Sequence, residues 1–237
     1  MRLISWNAYV GSKKTRTFAE CYEYLRPLHA DVIVLSEGPM LPAEGVWAWP
    51  AHPGAPKLQV WVAEEYTIQP IPVADAAPGQ SGLFTIAGPV SFTLSAIWPV
   101  QDERGPRYSR LLADTLSLHT AALSGGQAIL AGDLNSSPGV SGQAASHRKF
   151  VERMSSAGLV SAYHSQEGVE HGAESTGTLR RGKLEPKQYH IDYCFVSRAL
   201  SPAATLAIIK NEEWSSRSDH WPLVLDIPNT AFRAAAP

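Results

Sequence analysis

Short apolar runs separated by turn residues dominate the first hundred positions of the chain. Leu3, Ile4 and Trp6 form a strand-like run at the start, and Val32 to Leu35 is a continuous apolar stretch of β-branched character. A run of this second kind is typical of a strand buried on both faces. From Val46 to Val100, apolar and aromatic runs alternate with Pro and Gly, which predicts antiparallel strands and hairpins rather than helices.

Helical spacing occurs in three places. Thr17 and Glu20 form a capping box at the head of a predicted helix over Thr17 to Leu28. Apolar residues at helical spacing predict a second helix that begins near Tyr108 and a third around Phe150 to Met154. Further strands are predicted over Ala128–Ala131, Ile191–Val196, Thr205–Ile209 and Leu223–Ile227, with a polar, Gly-rich loop from Gln166 to Lys187.

The order of elements predicts one domain. Strands and helices are interleaved, and neither an internal repeat nor a linker of distinct composition divides the chain. We therefore expect a single α/β domain over residues 1–229 with two packed sheets, followed by a flexible tail over residues 230–237.

Composition adds limits rather than a function. The 237 residues are 44% hydrophobic and 18% charged, with a formal charge of −2 and a pI near 6.4. No overall positive field attracts nucleic acid or an anionic membrane, so such binding would need a local patch. Cys21 and Cys194 lie in apolar segments and are expected to be buried thiols. Without a signal peptide or a membrane-spanning run, we expect a soluble, cytoplasmic protein.

Polar motifs stand at the ends of several predicted strands, where loops on a rigid scaffold can hold side chains against a substrate. Taken singly, each has a plain structural interpretation as a turn, a solvated carboxylate or a surface histidine. Their combination and order are the informative feature. In chain order they are Trp6-Asn7, Glu37, Gly132-Asp133-Leu134-Asn135, His190-Ile191-Asp192-Tyr193 and Ser218-Asp219-His220.

This order resembles the endonuclease/exonuclease/phosphatase superfamily over Trp6 to Pro222. The resemblance implies the deoxyribonuclease I-like fold, a four-layer α/β/β/α sandwich with two packed mixed β-sheets. It also implies that Glu37 is the principal ligand of a divalent cation, with Asn7 and Asp219 as direct or water-mediated partners. Mg²⁺ suits such a sparse carboxylate set, because it keeps several waters, and Mn²⁺ could replace it.

The same resemblance assigns catalytic roles to four residues. Asp133 would orient and deprotonate the attacking water, and Asn135 would hold that water or a phosphoryl oxygen. His220 would donate a hydrogen bond to the charged transition state. Asp192 would fix His220, since a carboxylate on one ring nitrogen selects the tautomer and favours the protonated imidazole.

One family feature is missing, and substrate contacts are open. Most members carry a His or Tyr after the strand before the second long helix, where this chain has Trp98, whose indole N–H can bind an oxygen but cannot transfer a proton. His190 is weighed evenly between a phosphate contact and a structural role. The remaining candidate substrate contacts are Tyr189, Trp221, Arg180 and Arg181; the two arginines begin a basic stretch that includes Lys183 and Lys187.

The sequence favours a metal-dependent phosphodiesterase of nuclease type, and two alternatives stay open. A phosphatase or phosphodiesterase of a small-molecule or lipid phosphate would use the same site with different surrounding loops. A catalytically silent phosphate-binding module would keep the fold, and Trp98 lends it some support. Such a module would have no need for the five residues that hydrolysis requires together, which are Glu37, Asp133, Asn135, Asp192 and His220.

Overall fold

The computed structural model describes residues 1–9, 18–38, 46–50, 57–73, 81–99, 108–181 and 187–234. The helices are α1 (Phe18–Leu25), α2 (Tyr108–Leu123), α3 (Ala144–Ser156), α4 (Ala162–Glu167), α5 (Glu212–Ser215) and α6 (Asn229–Ala234). Short 3-10 helices cover Arg26–Leu28 and Ser201–Ala203. The strands are β1 (Arg2–Asn7), β2 (Val32–Gly38), β3 (Val46–Pro50), β4 (Lys57–Val62), β5 (Thr67–Pro70), β6 (Ser81–Ala87), β7 (Phe92–Ile97), β8 (Ala128–Asp133), β9 (Leu159–Ser161), β10 (Leu179–Arg181), β11 (Lys187–Tyr189), β12 (Asp192–Ser197), β13 (Thr205–Ile208) and β14 (Leu223–Asp226).

Two six-stranded mixed sheets form the centre of the molecule. The first has the order β13-β14-β1-β2-β4-β3, in which β1 and β2 are parallel and the other neighbours are antiparallel. The second has the order β5-β6-β7-β8-β12-β9, with β7 and β8 as its parallel pair. Strands β10 and β11 form a separate antiparallel ribbon.

Three apolar clusters define the layers. The largest contains side chains of both sheets, such as Leu3 and Val34 from the first and Leu94 and Ile129 from the second, so it fills the space between them. A second cluster packs α2 and α3 against the outer face of the second sheet. A third packs α1 and α5 against the outer face of the first sheet. The predicted four-layer α/β/β/α sandwich is therefore confirmed.

The chain after residue 229 differs from the prediction. Residues 229–234 form α6, and Phe232 is only 3% exposed, with its ring 5.7 Å from that of Phe92. The expectation of a flexible tail from residue 230 is therefore wrong for residues 230–234. A single aromatic residue in an alanine-rich segment gives too little periodicity to predict a docked helix from sequence.

Most other predicted elements are present with shifted ends. The first helix is shorter than predicted, because its last turn, Arg26–Leu28, is a 3-10 helix. Thr17, the capping residue, lies outside the described residues. Cys21 and Cys194 are buried and free, as expected. No helix in the described part of the chain is both long and apolar enough to cross a bilayer.

Candidate active site

The site lies at the ends of the central strands, where the inward-facing residues change from apolar to polar. On β8, Ile129 and Ala131 face the space between the sheets, so strand alternation directs Asp133 the same way. Asp192 is paired with Asp133 in the antiparallel register of β12 and β8, so their side chains share one face. Asn7 follows Leu3 on β1 with the same parity. Polar side chains thus line one end of the inter-sheet core.

A break in strand regularity directs Glu37 to the same place. Its backbone is left-handed, with φ of 56°, and the β2–β4 register shifts between Leu35 and Gly38. Regular alternation would put Glu37 on the outer face with Ile33 and Leu35, which belong to the α1 cluster. Irregularities of this kind re-aim side chains, and a non-glycine residue in this conformation costs about 1–3 kcal/mol.

The end of β8 requires a glycine at position 132. Gly132 has φ of 146°, and a Cβ at this position would overlap the backbone oxygen of Ile97. The Asp133 carboxylate then accepts a hydrogen bond from the backbone N–H of Asn135 at 2.8 Å. Asn135 is itself left-handed, with φ of 48°, and its side-chain amide lies 3.3 Å from Asp133 Oδ2. The Gly-Asp-Leu-Asn segment is therefore a tightly constrained turn that fixes one carboxylate and one amide.

Asn7 joins the two sheets through its amide nitrogen. Nδ2 donates to Glu37 Oε1 at 2.8 Å and to Asp133 Oδ2 at 3.0 Å, while Oδ1 accepts the N–H of Tyr9 at 3.0 Å. In this orientation Asn7 holds the two carboxylates next to each other. A direct Asn7–metal bond would use Oδ1, which already accepts one hydrogen bond.

His220 and Asp192 form a buried pair. His220 Nδ1 lies 2.9 Å from Asp192 Oδ2 and 3.2 Å from Asp192 Oδ1, and both side chains are almost fully buried. One donor atom each of Asp133, Asp192 and His220 lie within 4.8 Å of one another. Because Nδ1 is held by Asp192, Nε2 is the ring nitrogen left for a further partner.

Two hydroxyl groups hold this pair in position. Ser218 Oγ donates to the backbone oxygen of Asn7 at 2.8 Å and accepts the His220 N–H at 3.0 Å. Thr178 Oγ1 accepts the backbone N–H of Asp192 at 2.9 Å. Ser218 belongs to the Ser-Asp-His motif, which gave a signal, whereas Thr178 lies in a polar loop that gave none.

Burial and neighbouring negative charges raise the pKa values of Glu37, Asp133 and Asp219. Burial raises the pKa of Glu37 and of Asp219, although hydrogen bonds and the charge of His220 partly oppose the shift. Burial, followed by the charge of Asp192, raises the pKa of Asp133. Burial opposes the charged form of His220, but the charge and hydrogen bond of Asp192 outweigh it with help from Asp133 and Asp219, which raises the pKa of His220 to about 10. His220 is therefore an imidazolium at neutral pH.

The residues fit a divalent cation. Asp219 Oδ1 is buried, lies 4.0 Å from His220 Nε2 and has no hydrogen-bond partner among the described residues. Four carboxyl groups, those of Glu37, Asp133, Asp192 and Asp219, surround the one imidazolium of His220, so negative charge is in excess here. Oxygen ligands in this number suit a hard ion such as Mg²⁺ or Mn²⁺.

Three candidate substrate contacts are instead buried in the core. Trp98 is 5% exposed in the cluster between the sheets, and Trp221 is 5% exposed in the cluster beneath α1. His190 is 3% exposed, with its ring 4.7 Å from that of Tyr163 and 4.9 Å from that of Tyr193. These three side chains are therefore largely enclosed by protein, as Asp133 and His220 also are. Their neighbours come from distant segments, so their spacing in sequence could not reveal the packing.

Two other candidate substrate contacts, Tyr189 and Arg180, are partly exposed. Tyr189 is half-buried and lines a cavity of about 380 Å³ with Ser137 and His190. The Arg180 guanidinium donates to the backbone oxygen of Ser215 at 2.8 Å and lies over the Trp221 ring, 5.4 Å from its centroid. Arg181 belongs to β10, but its side chain, like Lys183 and the Lys187 side chain, lies outside the described residues.

Tyr108, at the start of the predicted second helix, is electrostatically linked to the site. It is half-buried at the start of α2. Burial raises the pKa of Tyr108, and the charges of Asp133 and Glu37 raise it further. Its phenol is therefore protonated at neutral pH and can donate a hydrogen bond.

Comparison with solved structures supports the fold. The catalytic domain of Xenopus laevis APE2 superposes with a TM-score of 0.71 and 17% identity, covering 96% of this chain and 91% of that one. The AP endonuclease LMAP from Leishmania major gives 0.68 and 14%, covering 94% and 86%. The 3'-5' exonuclease NExo from Neisseria meningitidis gives 0.66 and 17%, covering 96% and 99%. Such low identities establish a shared fold and nothing finer.

No curated protein sequence matches the chain. The model of the Endonuclease/Exonuclease/phosphatase family, however, matches residues 4–220, which span β1 to the candidate catalytic residue His220. Every motif that carried the resemblance lies within this match or at its edge. The chain belongs to the endonuclease/exonuclease/phosphatase family.

Proposed function

We propose that this protein is a metal-dependent phosphoesterase that hydrolyses a phosphodiester, with nucleic acid as its substrate class. The observation that carries the proposal is the convergence of two networks at one end of the inter-sheet core. Asn7, Glu37 and Asp133 form one network, and Asp192 and His220 form the other. A carboxylate and an imidazolium within 4.8 Å of each other can both reach the same bound phosphate group.

Asp133 is the candidate general base. Its carboxylate is held by Asn7 and Asn135, which leaves lone pairs to accept a proton from water. Asn135 is the candidate side chain for holding this water or a phosphoryl oxygen, and its Nδ2 lies 3.3 Å from both Asp133 Oδ2 and the backbone oxygen of Pro99. A base with a raised pKa takes a proton more readily than an ordinary aspartate, and positioned proton transfer contributes about 10²- to 10⁴-fold to a rate.

His220 is the candidate electrostatic stabiliser. Asp192 holds Nδ1, so Nε2–H can donate to the charge that develops on the phosphoryl group. Because the pKa of His220 is raised to about 10, the ring is already charged before the substrate arrives. His220 therefore contributes positive charge and needs no proton transfer of its own in the first step.

Glu37 and Asp219 are the candidate metal ligands, and Asn7 keeps Glu37 in position. A bound Mg²⁺ or Mn²⁺ would supply Lewis-acid polarisation of the phosphoryl oxygens. Asp219 Oδ1 is buried and has no hydrogen-bond partner among the described residues. A bound cation would satisfy this oxygen.

Tyr108 is the candidate for the role that the buried Trp98 cannot fill. Its phenol is half-buried and sensitive to the charges of Asp133 and Glu37. It could donate a hydrogen bond to a phosphoryl or leaving oxygen, which would compensate for the missing His or Tyr after β7.

Nucleic acid is favoured by the described activities of the structural neighbours. One is named as an AP endonuclease, another as an exonuclease, and a 3' phosphatase from Neisseria was solved with a product DNA hairpin. On this chain, Arg180 adds positive charge beside Asp219. Against nucleic acid, the net charge is −2, so a small-molecule phosphate ester is the second candidate.

The test is hydrolysis of a substrate panel with Mg²⁺, Mn²⁺ or EDTA: abasic-site duplex DNA, plain single- and double-stranded DNA, bis-p-nitrophenyl phosphate, p-nitrophenyl phosphate and sphingomyelin. We expect metal-dependent cleavage of a DNA substrate that falls steeply as salt rises. Cleavage of only the monoester or the lipid would replace nucleic acid by the second candidate. Folded protein that cleaves nothing in the panel would favour the silent binding module.

A further inference from the structure

Four of the eight histidines of the chain gather beside the candidate active site. Their ring centroids lie 4.9 to 6.1 Å from the ring of Tyr193, the residue after Asp192. They are His147 on α3, His164 on α4, His171 in the following loop and His190 before β12. The proposed hydrolysis uses none of their side chains.

Hydrogen bonds give these rings defined donor and acceptor atoms. His164 Nδ1 lies 2.8 Å from Ser161 Oγ, and its Nε2 lies 2.9 Å from Glu174 Oε1. His147 Nε2 lies 3.1 Å from His171 Nδ1. Ring nitrogens from three different segments therefore converge next to a carboxylate, and the outer nitrogen of His164 is held by a hydroxyl group as in many metal-ligating histidines.

We propose that His164, His171 and Glu174 form a binding site for a divalent transition-metal ion of the zinc class, with His147 as a fourth ligand. One donor atom each of His164, His171 and Glu174 lie within 4.8 Å of one another. Imidazole nitrogen with one carboxylate is the ligand chemistry of Zn²⁺, whereas the oxygen set at Glu37 and Asp219 suits Mg²⁺. The two sites therefore select different ions.

Burial and hydrogen bonds set the pKa values of the groups in this cluster. Burial lowers the pKa of His171 to about 3 and that of His147 to about 4, with neighbouring histidines contributing. Burial opposes ionisation of Glu174, but hydrogen bonds from His164 and from backbone N–H groups outweigh it and lower the pKa of Glu174 to about 2. The Glu174 carboxylate accepts the hydrogen bond from His164 Nε2, so an ion that binds this nitrogen requires the ring proton to move to Nδ1, beside Ser161 Oγ.

The surroundings provide both a dry wall and an entry path. The side chains of His164 and Glu174 are 7% and 8% exposed, and Phe195 stacks beside His171 with centroids 6.1 Å apart. Glu174 also lines the cavity of about 380 Å³ that opens near Tyr189. An ion can therefore reach the carboxylate from this cavity while aromatic rings exclude water from the other side.

Binding requires one movement. The rings of His164 and His171 are stacked, with centroids 3.6 Å apart and planes 15° apart, so their in-plane lone pairs run parallel. His171 is the more exposed of the two and sits on a loop, so its ring must turn to direct a nitrogen at a shared ion. This turn breaks its contact with His147 Nε2, which frees that nitrogen as the fourth ligand.

An ion at this position would act on the candidate active site through the loop. His171 and Glu174 belong to the segment between α4 and β10, and Thr178 at the end of this segment accepts the N–H of Asp192. Cross-linking the loop to α4 would restrict Thr178. A bound ion would therefore stabilise the segment between α4 and β10, which positions Asp192 through Thr178.

The test is Zn²⁺ binding to the full chain, freed of metal with EDTA and then dialysed, by titration calorimetry in excess Mg²⁺. Mg²⁺ occupies the oxygen site, so the heat reports the histidine site. Titration with Co²⁺ in parallel reports nitrogen coordination by visible absorption. We expect one Zn²⁺ per chain, and a loss of affinity of about tenfold or more in His171→Ala and in Glu174→Gln.

Two control variants distinguish Zn²⁺ binding at this cluster from Zn²⁺ binding elsewhere on the chain. His29→Asn changes an exposed histidine and keeps a residue that tolerates its left-handed backbone, so affinity should be unchanged. Glu37→Gln should also leave Zn²⁺ binding intact, which separates this proposal from the proposed hydrolysis. Absence of stoichiometric Zn²⁺ binding in the wild type, or equal affinity in folded His171→Ala and Glu174→Gln, would overturn the proposal.

Discussion

Replacing Asp192 with Asn tests the electrostatic core of the site. The substitution keeps size and an acceptor oxygen but removes the charge that lies 2.9 and 3.2 Å from His220 Nδ1. Asp192 contributes both the largest opposing charge and the hydrogen bond that keep the pKa of His220 high against burial. The Asn variant should therefore have a less basic His220, and its folded structure should be retained.

The magnitude follows from the pKa of His220. A value of about 10, against an ordinary 6.5, corresponds to roughly 5 kcal/mol in favour of the charged ring. Loss of one close carboxylate lowers a pKa by about 1–3 units. The alkaline limb of the pH–rate profile should therefore move from near pH 10 to between about 7 and 9.

The same pair makes stability depend on pH. His220 has a folded pKa above its unfolded value of about 6.5, so its stabilisation is fully present below pH 6.5 and is lost as the pH rises through about 10. The wild-type free energy of unfolding should therefore fall across this window, and the decrease should be smaller in Asp192→Asn.

The assays are the pH–rate profile, NMR titration of the His220 ring and urea unfolding at several pH values. Asp226→Asn is the matched control. Asp226 forms a half-exposed ion pair with Arg2 on the first sheet. Loss of this pair should leave the pH–rate profile unchanged. An alkaline limb that stays in place in Asp192→Asn, with an unshifted His220 resonance, would show that Asp192 does not set the charge of His220.

Four further predictions address the turn, the acids and the terminal helix. Asp133→Asn should lower turnover by about 10²-fold or more while circular dichroism stays unchanged, and normal turnover would remove Asp133 as the base. Glu37→Gln should raise the Mg²⁺ concentration for half-maximal activity, so an unchanged Mg²⁺ titration would exclude Glu37 as a ligand. Gly132→Ala should lower the free energy of unfolding in urea more than Gly126→Ala does. Both glycines have positive φ, but only at Gly132 would a Cβ meet the backbone of another strand, so equal losses would contradict this. Phe232→Ala should cost about 3–5 kcal/mol in the same assay, whereas a change below about 1 kcal/mol would mean that α6 is not docked.

Much of the fold follows from pattern, because central strands repeat inward and outward positions with a period of two. Leu3 and Ile129 face the inner core and Ile4 faces the helix layer, as their alternation requires. The same periodicity carries Asn7 and Asp133 to the inner face, so part of the site could be inferred from strand register once the strands were known.

Other parts depend on contacts that no local pattern encodes. Glu37 reaches the site only because β2 is irregular there, and sequence periodicity alone would place it outside. Trp98, His190 and Trp221 are candidate substrate contacts in sequence, and their burial by tertiary packing could not be read from it. The four histidines of the cluster lie in four separate elements, so they could not be grouped before the chain was folded.

The proposed hydrolysis is tested most simply by the rate of phosphodiester cleavage by wild type and His220→Ala, each measured in Mg²⁺ and in EDTA on the best substrate of the panel. We expect Mg²⁺-dependent cleavage by the wild type and a loss of about 10²-fold or more in folded His220→Ala. Wild-type cleavage that persists in EDTA, or a folded His220→Ala with the wild-type rate, would rule out the proposed roles of the metal or of His220.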